Sequence, residues 1–434
     1  MSDFLASPCK SLSGVITIPG DKSISHRAIM MGSIANGVTK VRGFLQGNDS
    51  LATLKSFQKM GVVIEQSGSN LTIKGLGMHG LKAPSKPLDL GNSGTSIRLM
   101  SGLLSAQSFN SKLCGDQSLS KRPMDRIIDP LRQMGAKISG VNSKPPLSIS
   151  GNQSLNAITY ELPIASAQIK SCLLLAGLYA KGKTCIVENT TTRDHTERML
   201  RSFNYKVTCS DSCIMLDGGG ELEACDIDIP SDISSAAFFM VAASIAKDAD
   251  LTLKAININP TRTGIIEILK LMGADITLSN ETKIADENIA DIQVKSADLK
   301  GIEIPNELVP LAIDEFPVLF IAASCAEGET LLTGAKELRV KESDRIQVMA
   351  DGLKVLGIKT EVLDDGIRIQ GGKFSKPSTT INSHHDHRVS MSFAVASVAC
   401  NFDIRIEGVD NVKTSFPNFV ELANTIGVNI EEFD

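Results

Sequence analysis

Lysines and arginines in this sequence gather in short runs, each opening a stretch of small and aliphatic residues, and the spacing within those runs suits anion chemistry. In Gly20-Asp21-Lys22-Ser23-Ile24-Ser25-His26-Arg27 two cations lie five positions apart. A capping Ser23 would set Lys22 at a helix mouth and Arg27 one turn in, although a plain solvated helix start has the same composition. In Leu90-Gly91-Asn92-Ser93-Gly94-Thr95-Ser96-Ile97-Arg98 the glycines let backbone N–H groups approach a ligand while Arg98 adds charge. Lys121-Arg122-Pro123-Met124-Asp125-Arg126 holds Arg122 extended ahead of a proline, which lets its side chain reach outward; an exposed structural arginine fits as well. Ser166-Ala167-Gln168-Ile169-Lys170 offers a hydroxyl and a neutral amide suited to a sugar-like hydroxyl or a phosphate oxygen, or simply an N-cap. The charge of Arg193-Asp194-His195-Thr196-Glu197 argues against burial and fits a surface turn.

The second half carries carboxylates among its cations. Asp314 heads an apolar run, and Lys341-Glu342-Ser343-Asp344-Arg345 sets two acids between two bases, with Lys336 and Arg339 close upstream. Such a run can move protons, and it is equally the usual make-up of an exposed helix start. His384-His385-Asp386-His387-Arg388 invites a metal reading. Adjacent helical positions point in different directions, however, and no distant cluster completes a ligand set, so no metal is expected.

Six such clusters recur along the chain, near Lys22, Asn92, Ser166, Ser231, Asp314 and Asp386, and each predicts a helix with its special residues at the N-terminus. A second aliphatic-striped helix follows in every unit. Gly61, Gly135, Gly273, Gly357 and Gly427 stand where a C-cap needs positive φ, with Asn204 in the equivalent place of the third unit. The caps are roughly seventy residues apart, a period that implies six repeated βα-type modules. A chain of 434 residues exceeds one core, so three modules in each of two lobes is the expected division. The lobes would be residues 1–20 with 229–434, and residues 21–228, hinged near Gly20 and Pro230, although ordinary loops would carry the same residues there.

Composition narrows the function. With 42% apolar and 21% charged residues the chain can bury a large core. It has no long uncharged apolar run to span a membrane, and its first residues lack the apolar stretch of a signal peptide, which makes it cytoplasmic by expectation. The nine cysteines are scattered without a Cys-x-x-Cys pair, so a disulfide framework is not expected and most should be buried small hydrophobes. A net charge of −5, 4% aromatics and no tryptophan argue against nucleic-acid binding. A net-acidic chain that concentrates its cations at helix N-termini is building a local site for small phosphorylated or carboxylated metabolites.

The motifs PGDKSISHRA, LGNSGTSIRL, KRPMDR, SAQIK, DEFP, KESDR, DHR and VKTSFP, in this order across nearly the whole chain, resemble the 5-enolpyruvylshikimate-3-phosphate synthase family. The resemblance implies an α/β fold of two lobes, an inside-out α/β barrel of six βαβαββ repeats, three per lobe. It also implies a metal-free and cofactor-free reaction in which the enolpyruvyl group of phosphoenolpyruvate joins the 5-hydroxyl of shikimate 3-phosphate and phosphate leaves. Matched motif by motif, Lys22, Ser23, Arg27, Ser166, Gln168, Asp314 and Lys341 would bind shikimate 3-phosphate. Lys22, Gly94, Arg122, Gln168, Arg345, Arg388 and Lys413 would surround phosphoenolpyruvate. Asp314 would take the hydroxyl proton and Glu342 would handle the methylene, with Lys22 and Lys341 assisting. The two substrates bring roughly five or six negative charges together, which explains the need for so many cations.

With Lys22 to Ser166 in one lobe and Asp314 to Arg388 in the other, closure on binding is expected; unchanged small-angle scattering with shikimate 3-phosphate would exclude it. The related UDP-N-acetylglucosamine enolpyruvyl transferases would require Asn after the first lysine and a cysteine five residues before the Arg-Pro pair, where this chain has Ser23 and Gln117. A non-catalytic metabolite binder would not need both carboxylates. TTTRDHTERM together with SAQIK and KRPMDR resembles the family's second subclass, often less sensitive to glyphosate, although Gly94 leaves room for that inhibitor. A monomer is expected, since two lobes already enclose a site.

Overall fold

In the computed structural model, which describes residues 2–210, 213–375 and 380–433, the chain divides into two compact units. One comprises Met1–Pro19, Pro230–Lys283 and Glu287–Asp434; the other comprises Gly20–Ile229 with Ile284–Asp286.

The Gly20–Ile229 unit repeats one plan three times. Its helices are α1 (Lys22–Ile34), α2 (Asn48–Lys59), α3 (Gly94–Leu104), α4 (Asp125–Gln133), α5 (Ala167–Gly177) and α6 (His195–Ser202). Each pair accompanies a four-stranded sheet of one topology, in which a short strand pairs parallel with the strand after the first helix, and two antiparallel partners follow. In the second module Leu88–Asp89 pairs with Ser111–Cys114, then come Lys144–Ile149 and Ile138–Val141. The third module repeats this with Thr159–Glu161, Lys183–Val187, Cys213–Asp217 and Thr208–Cys209. The first module borrows its parallel strand from the far end of the unit, where Ile227–Asp228 lies beside Val38–Arg42. Of α1, α3 and α5, all but a few residues in the opening turns are buried, and α3 packs on both α1 and α5, because small residues let the helix axes approach. Gly102 shows how closely: a methyl there would meet the Cys172 carbonyl oxygen at 2.0 Å.

The other unit uses α7 (Ile233–Ile245), α8 (Gly264–Leu271), α9 (Phe316–Cys325), α10 (Arg345–Val355), α11 (His387–Ala396) and α12 (Phe419–Thr425). Helices α7, α9 and α11 pack on one another, and α7 and α9 are apolar nearly all round, as a helix enclosed on every side must be. Here the borrowing comes from the N-terminal segment. Leu12–Thr17 pairs parallel with Ala249–Asn257, and Asp3–Ser7 sits between Ile404–Glu407 and Asn429–Phe433. Phe238, Phe239, Phe416 and Phe419 form an aromatic knot at the base of α12. Helices inside with sheets outside is the inside-out arrangement that the motifs implied.

The expected C-cap glycines all have positive φ, from 82° at Gly357 to 99° at Gly427, and Asn204 stands at 60°. The cysteines depart from expectation. Cys185 and Cys213 form a disulfide across neighbouring strands, only Cys172 of the free thiols is fully buried, and Cys209 is exposed. Strand pairing brought together two residues 28 positions apart that no spacing rule flags.

Candidate active site

Each unit carries its own part of the residue set. In the Gly20–Ile229 unit, Asp21 rather than Ser23 caps α1: its Oδ1 accepts from the Ile24 N–H at 2.9 Å. Ser23 therefore lies inside the first turn. Lys22 points to α2, where the buried Asp49 Oδ2 meets its Nζ at 2.5 Å. One turn along α2, Thr53 Oγ1 is 2.8 Å from His26 Nδ1 and 2.6 Å from Ser96 Oγ, and Ser96 in turn donates to Ser93, the cap of α3. Hydrogen bonds thus tie the openings of α1, α2 and α3 to one another. Burial and then the charges of Lys22 and Arg27 push His26 well below its ordinary pKa, so its ring is neutral.

Gly94 opens α3 between two guanidinium groups. A methyl on Gly94 would meet Nη1 of Arg98 and Nη1 of Arg122 at 2.9 Å each. Arg98 donates to Gln168 Oε1 at 2.7 Å, Gln168 Nε2 reaches Thr95 Oγ1 at 3.1 Å, and Arg122 donates to Asn92 Oδ1 at 2.5 Å. Gly94, Arg98, Arg122 and Gln168 are therefore one cluster, in which two cations flank a helix N-terminus that has no side chain in the way. Arg122 is buried, contrary to the outward reach expected for it, because its head donates to Ser118 and to Asn92, whose own amide is held by Asp116. Ser166 caps α5, its Oγ accepting from the Ile169 N–H at 3.4 Å.

Arg27 is 3% exposed and donates to Thr196 Oγ1 and Ser171 Oγ at 2.7 Å each, and to the Ser23 carbonyl at 2.9 Å. Its partner Thr196 belongs to the segment expected to be a surface turn. His195, Thr196 and Glu197 are instead fully buried as the first turn of α6. Their charge is tolerated because it is matched by Lys170.

In the other unit the acids assemble on Arg345, whose side chain is 1% exposed. Nε is 2.9 Å from Asp386 Oδ2, Nη2 is 2.7 Å from Glu342 Oε2, and Nη1 is 3.5 Å from Asp314 Oδ1. Lys341 Nζ stands 3.4 Å from the same Asp314 oxygen. The run Lys341 to Arg345 is thus a wrapped cluster rather than a solvated helix start. Burial opposes the charge on Arg345, but Asp386, Glu342 and Asp314 together raise its pKa. Burial likewise opposes the Asp386 carboxylate, and Arg345 overrides it to hold that pKa below the ordinary value. Arg388 Nη1 donates to the Asp314 carbonyl at 2.9 Å and lies 3.8 Å from the buried Glu315. Lys413 is about half exposed and pairs with Glu432 at 2.6 Å.

Sequence reasoning passed over Asp49 and Glu315 as counterions, and it took Asp386 only as a helix start and Glu197 as surface. Asp386, Glu315 and Glu197 each stood inside a quoted motif, whereas Asp49 carried no signal. Among the described residues no group of three or more His, Cys, Asp or Glu is placed to hold a metal ion, and no helix is long and apolar enough to cross a membrane.

The fold is that of the enolpyruvyl transferases: NikO of Streptomyces tendae, 16% identical, superimposes with a TM-score of 0.81 over 100% of this chain and 99% of its own. The EPSP synthase (3-phosphoshikimate 1-carboxyvinyltransferase) family profile matches residues 6–422, and the chain belongs to that family. The 3-phosphoshikimate 1-carboxyvinyltransferase of Ruthia magnifica subsp. Calyptogena magnifica is 68% identical over 430 residues, 99% of each chain. That of Hydrogenovibrio crunogenus is 58% identical over 434 residues, 98% of each. The solved EPSP synthase of Acinetobacter baumannii is 57% identical, with a TM-score of 0.88 over 100% of both chains.

Proposed function

We infer that this chain transfers the enolpyruvyl group of phosphoenolpyruvate to the 5-hydroxyl of shikimate 3-phosphate, releasing phosphate, in the shikimate route to chorismate and the aromatic amino acids. The observation that carries this reading is the gathering of Asp314 and Glu342 on the single guanidinium of Arg345, with Lys341 alongside. Addition–elimination needs two proton carriers, one for the attacking hydroxyl and one for the methylene carbon. Two carboxylates anchored to one buried cation meet that need without a metal. Asp314 takes the hydroxyl proton as oxygen attacks the enol carbon, and Glu342 delivers a proton to the methylene carbon. When phosphate leaves, a proton of the methyl group so formed returns to Glu342 and the enol ether double bond is restored. Arg345 keeps both acids placed.

Residues 21–228 supply the anion-binding part in this reading. Lys22, Ser23, Arg27, Ser166 and Gln168 hold shikimate 3-phosphate, with Asp314 and Lys341 on its reacting hydroxyl. Lys22, Gly94, Arg122 and Gln168 receive phosphoenolpyruvate, together with Arg345, Arg388 and Lys413 from the lobe of residues 1–20 and 229–434. The two arginines flanking Gly94 support the placing of a compact anion there. We take the protein to act as a cytoplasmic monomer with no nucleic-acid or membrane partner, in line with its charge of −5.

Phosphate release from phosphoenolpyruvate, measured with shikimate 3-phosphate in one reaction and UDP-N-acetylglucosamine in another, tests the reading. Release with shikimate 3-phosphate alone is expected. Release only with the nucleotide sugar would overturn the choice of acceptor, and release with neither would overturn catalysis itself.

A further inference from the structure

Lys170 is a lysine with almost no access to solvent, and the reaction above gives it no role. Its Nζ lies 2.7 Å from Glu197 Oε1 and 3.1 Å from Glu188 Oε2, and it donates to the Thr192 carbonyl at 3.3 Å. The Lys170 and Glu197 side chains are 1% and 2% exposed. Burial works against the ammonium group, yet Glu197 and Glu188 together raise its pKa above the ordinary lysine value, so it is charged.

Buried pairs of this kind are poor stabilisers, because the desolvation of both ions offsets their attraction. This one is poorer than most, since Glu197 Oε2 is buried and meets no donor. Stability alone does not account for it. Its place in the sequence does: Lys170 immediately precedes Ser171, and Glu197 immediately follows Thr196. Ser171 and Thr196 are the two hydroxyls that receive Arg27, and Thr196 also donates to Ser171 at 2.7 Å. The ion pair therefore clamps α5 to α6 one residue away from the seat of Arg27 on both helices.

We propose that Lys170 and Glu197 are positioning residues for shikimate 3-phosphate, acting through Ser171 and Thr196 on Arg27. The proposal rests on the reading of the reaction given above. It bears first on the acceptor side of the site: the pair's partners Ser171 and Thr196 hold Arg27, whereas the cluster of Gly94, Arg98 and Arg122 meets α5 through Gln168 and not through the pair.

The test compares Glu197→Ala and the milder Glu197→Gln with the wild-type chain in two measurements: calorimetric binding of shikimate 3-phosphate alone, and steady-state kinetics in both substrates. Glu197→Ala is expected to weaken shikimate 3-phosphate about tenfold in Kd and KM, and Glu197→Gln about threefold, with kcat and the phosphoenolpyruvate KM within about twofold of wild type. If Glu197→Ala fails to fold, Glu197→Gln carries the test. A lower melting temperature with unchanged shikimate 3-phosphate affinity would make the pair merely structural and overturn the proposal. Equal losses for both substrates would overturn it as well. A wild-type chain that neither binds nor consumes shikimate 3-phosphate would overturn the functional reading and the proposal together, an outcome distinct from a wild type that works and a variant that works equally well.

Discussion

Arg388 and Asp314 are joined through the backbone, the guanidinium Nη1 donating to the Asp314 carbonyl at 2.9 Å. The arginine proposed to hold phosphoenolpyruvate thus also fixes the main chain of the proposed base. Arg388→Lys keeps the charge but loses the planar fork that can serve a ligand and a carbonyl at once. We expect the phosphoenolpyruvate KM to rise and kcat to fall, each by about tenfold. Steady-state kinetics will show both; a change in KM alone would mean that Asp314 does not depend on this bond.

Gly94 lies in ordinary helical backbone, so alanine suits its conformation, and only the two guanidinium groups stand in the way of a methyl. Gly94→Ala is therefore expected to fold with an unchanged melting temperature while the phosphoenolpyruvate KM rises severalfold. Thermal melting beside kinetics separates the two effects.

Arg345 offsets Asp386, which has no exposure at all. Arg345→Met leaves that carboxylate buried without its cation, at an expected cost of about 3–5 kcal/mol. The double variant Arg345→Met with Asp386→Asn should recover part of the loss, since the two changes share one interaction. Urea unfolding midpoints measure each.

His26 gives the fold a pH signature. Its folded pKa lies well below the ordinary value, so protons bind the unfolded chain first and stability falls as pH drops below about 6.5. The slope contributed by this one group is at most about 1.4 kcal/mol per pH unit. Urea unfolding at pH 7.5 and 5.5 should show a smaller difference for His26→Gln than for the wild type; equal differences would mean that His26 is protonated in the fold.

The modules were legible because in each unit the first helix announces its start with polar residues and the second its stop with a glycine or Asn204. The cations were legible for a related reason, since Lys22, Arg122, Arg345 and Arg388 stand at or near those starts. Their counterions were not. Asp49 lies on a different helix from Lys22 and looks in sequence like any acid in a first turn. Glu197 reads as surface because its neutralising lysine is 27 positions away, and only the fold brings the start of α6 beside that lysine on α5. Asp21 took the cap from Ser23 because a carboxylate reached the free N–H groups first in the chain. Charge patterns along a sequence show where ions are, and the fold decides which of them meet.

The strand Asp3–Ser7 lies between two strands from the opposite end of the sequence, Ile404–Glu407 and Asn429–Phe433, and Leu12–Thr17 pairs with Ala249–Asn257. On the ribosome these first strands emerge hundreds of residues before their neighbours exist. The stretch Gly20–Ile229, nearly continuous in its own unit, can collapse while synthesis continues. The Asp3–Ser7 strand must wait, unpaired at its edges, until Asn429–Phe433 has left the exit tunnel, so the sheet that holds it closes long after the Gly20–Ile229 stretch has been made.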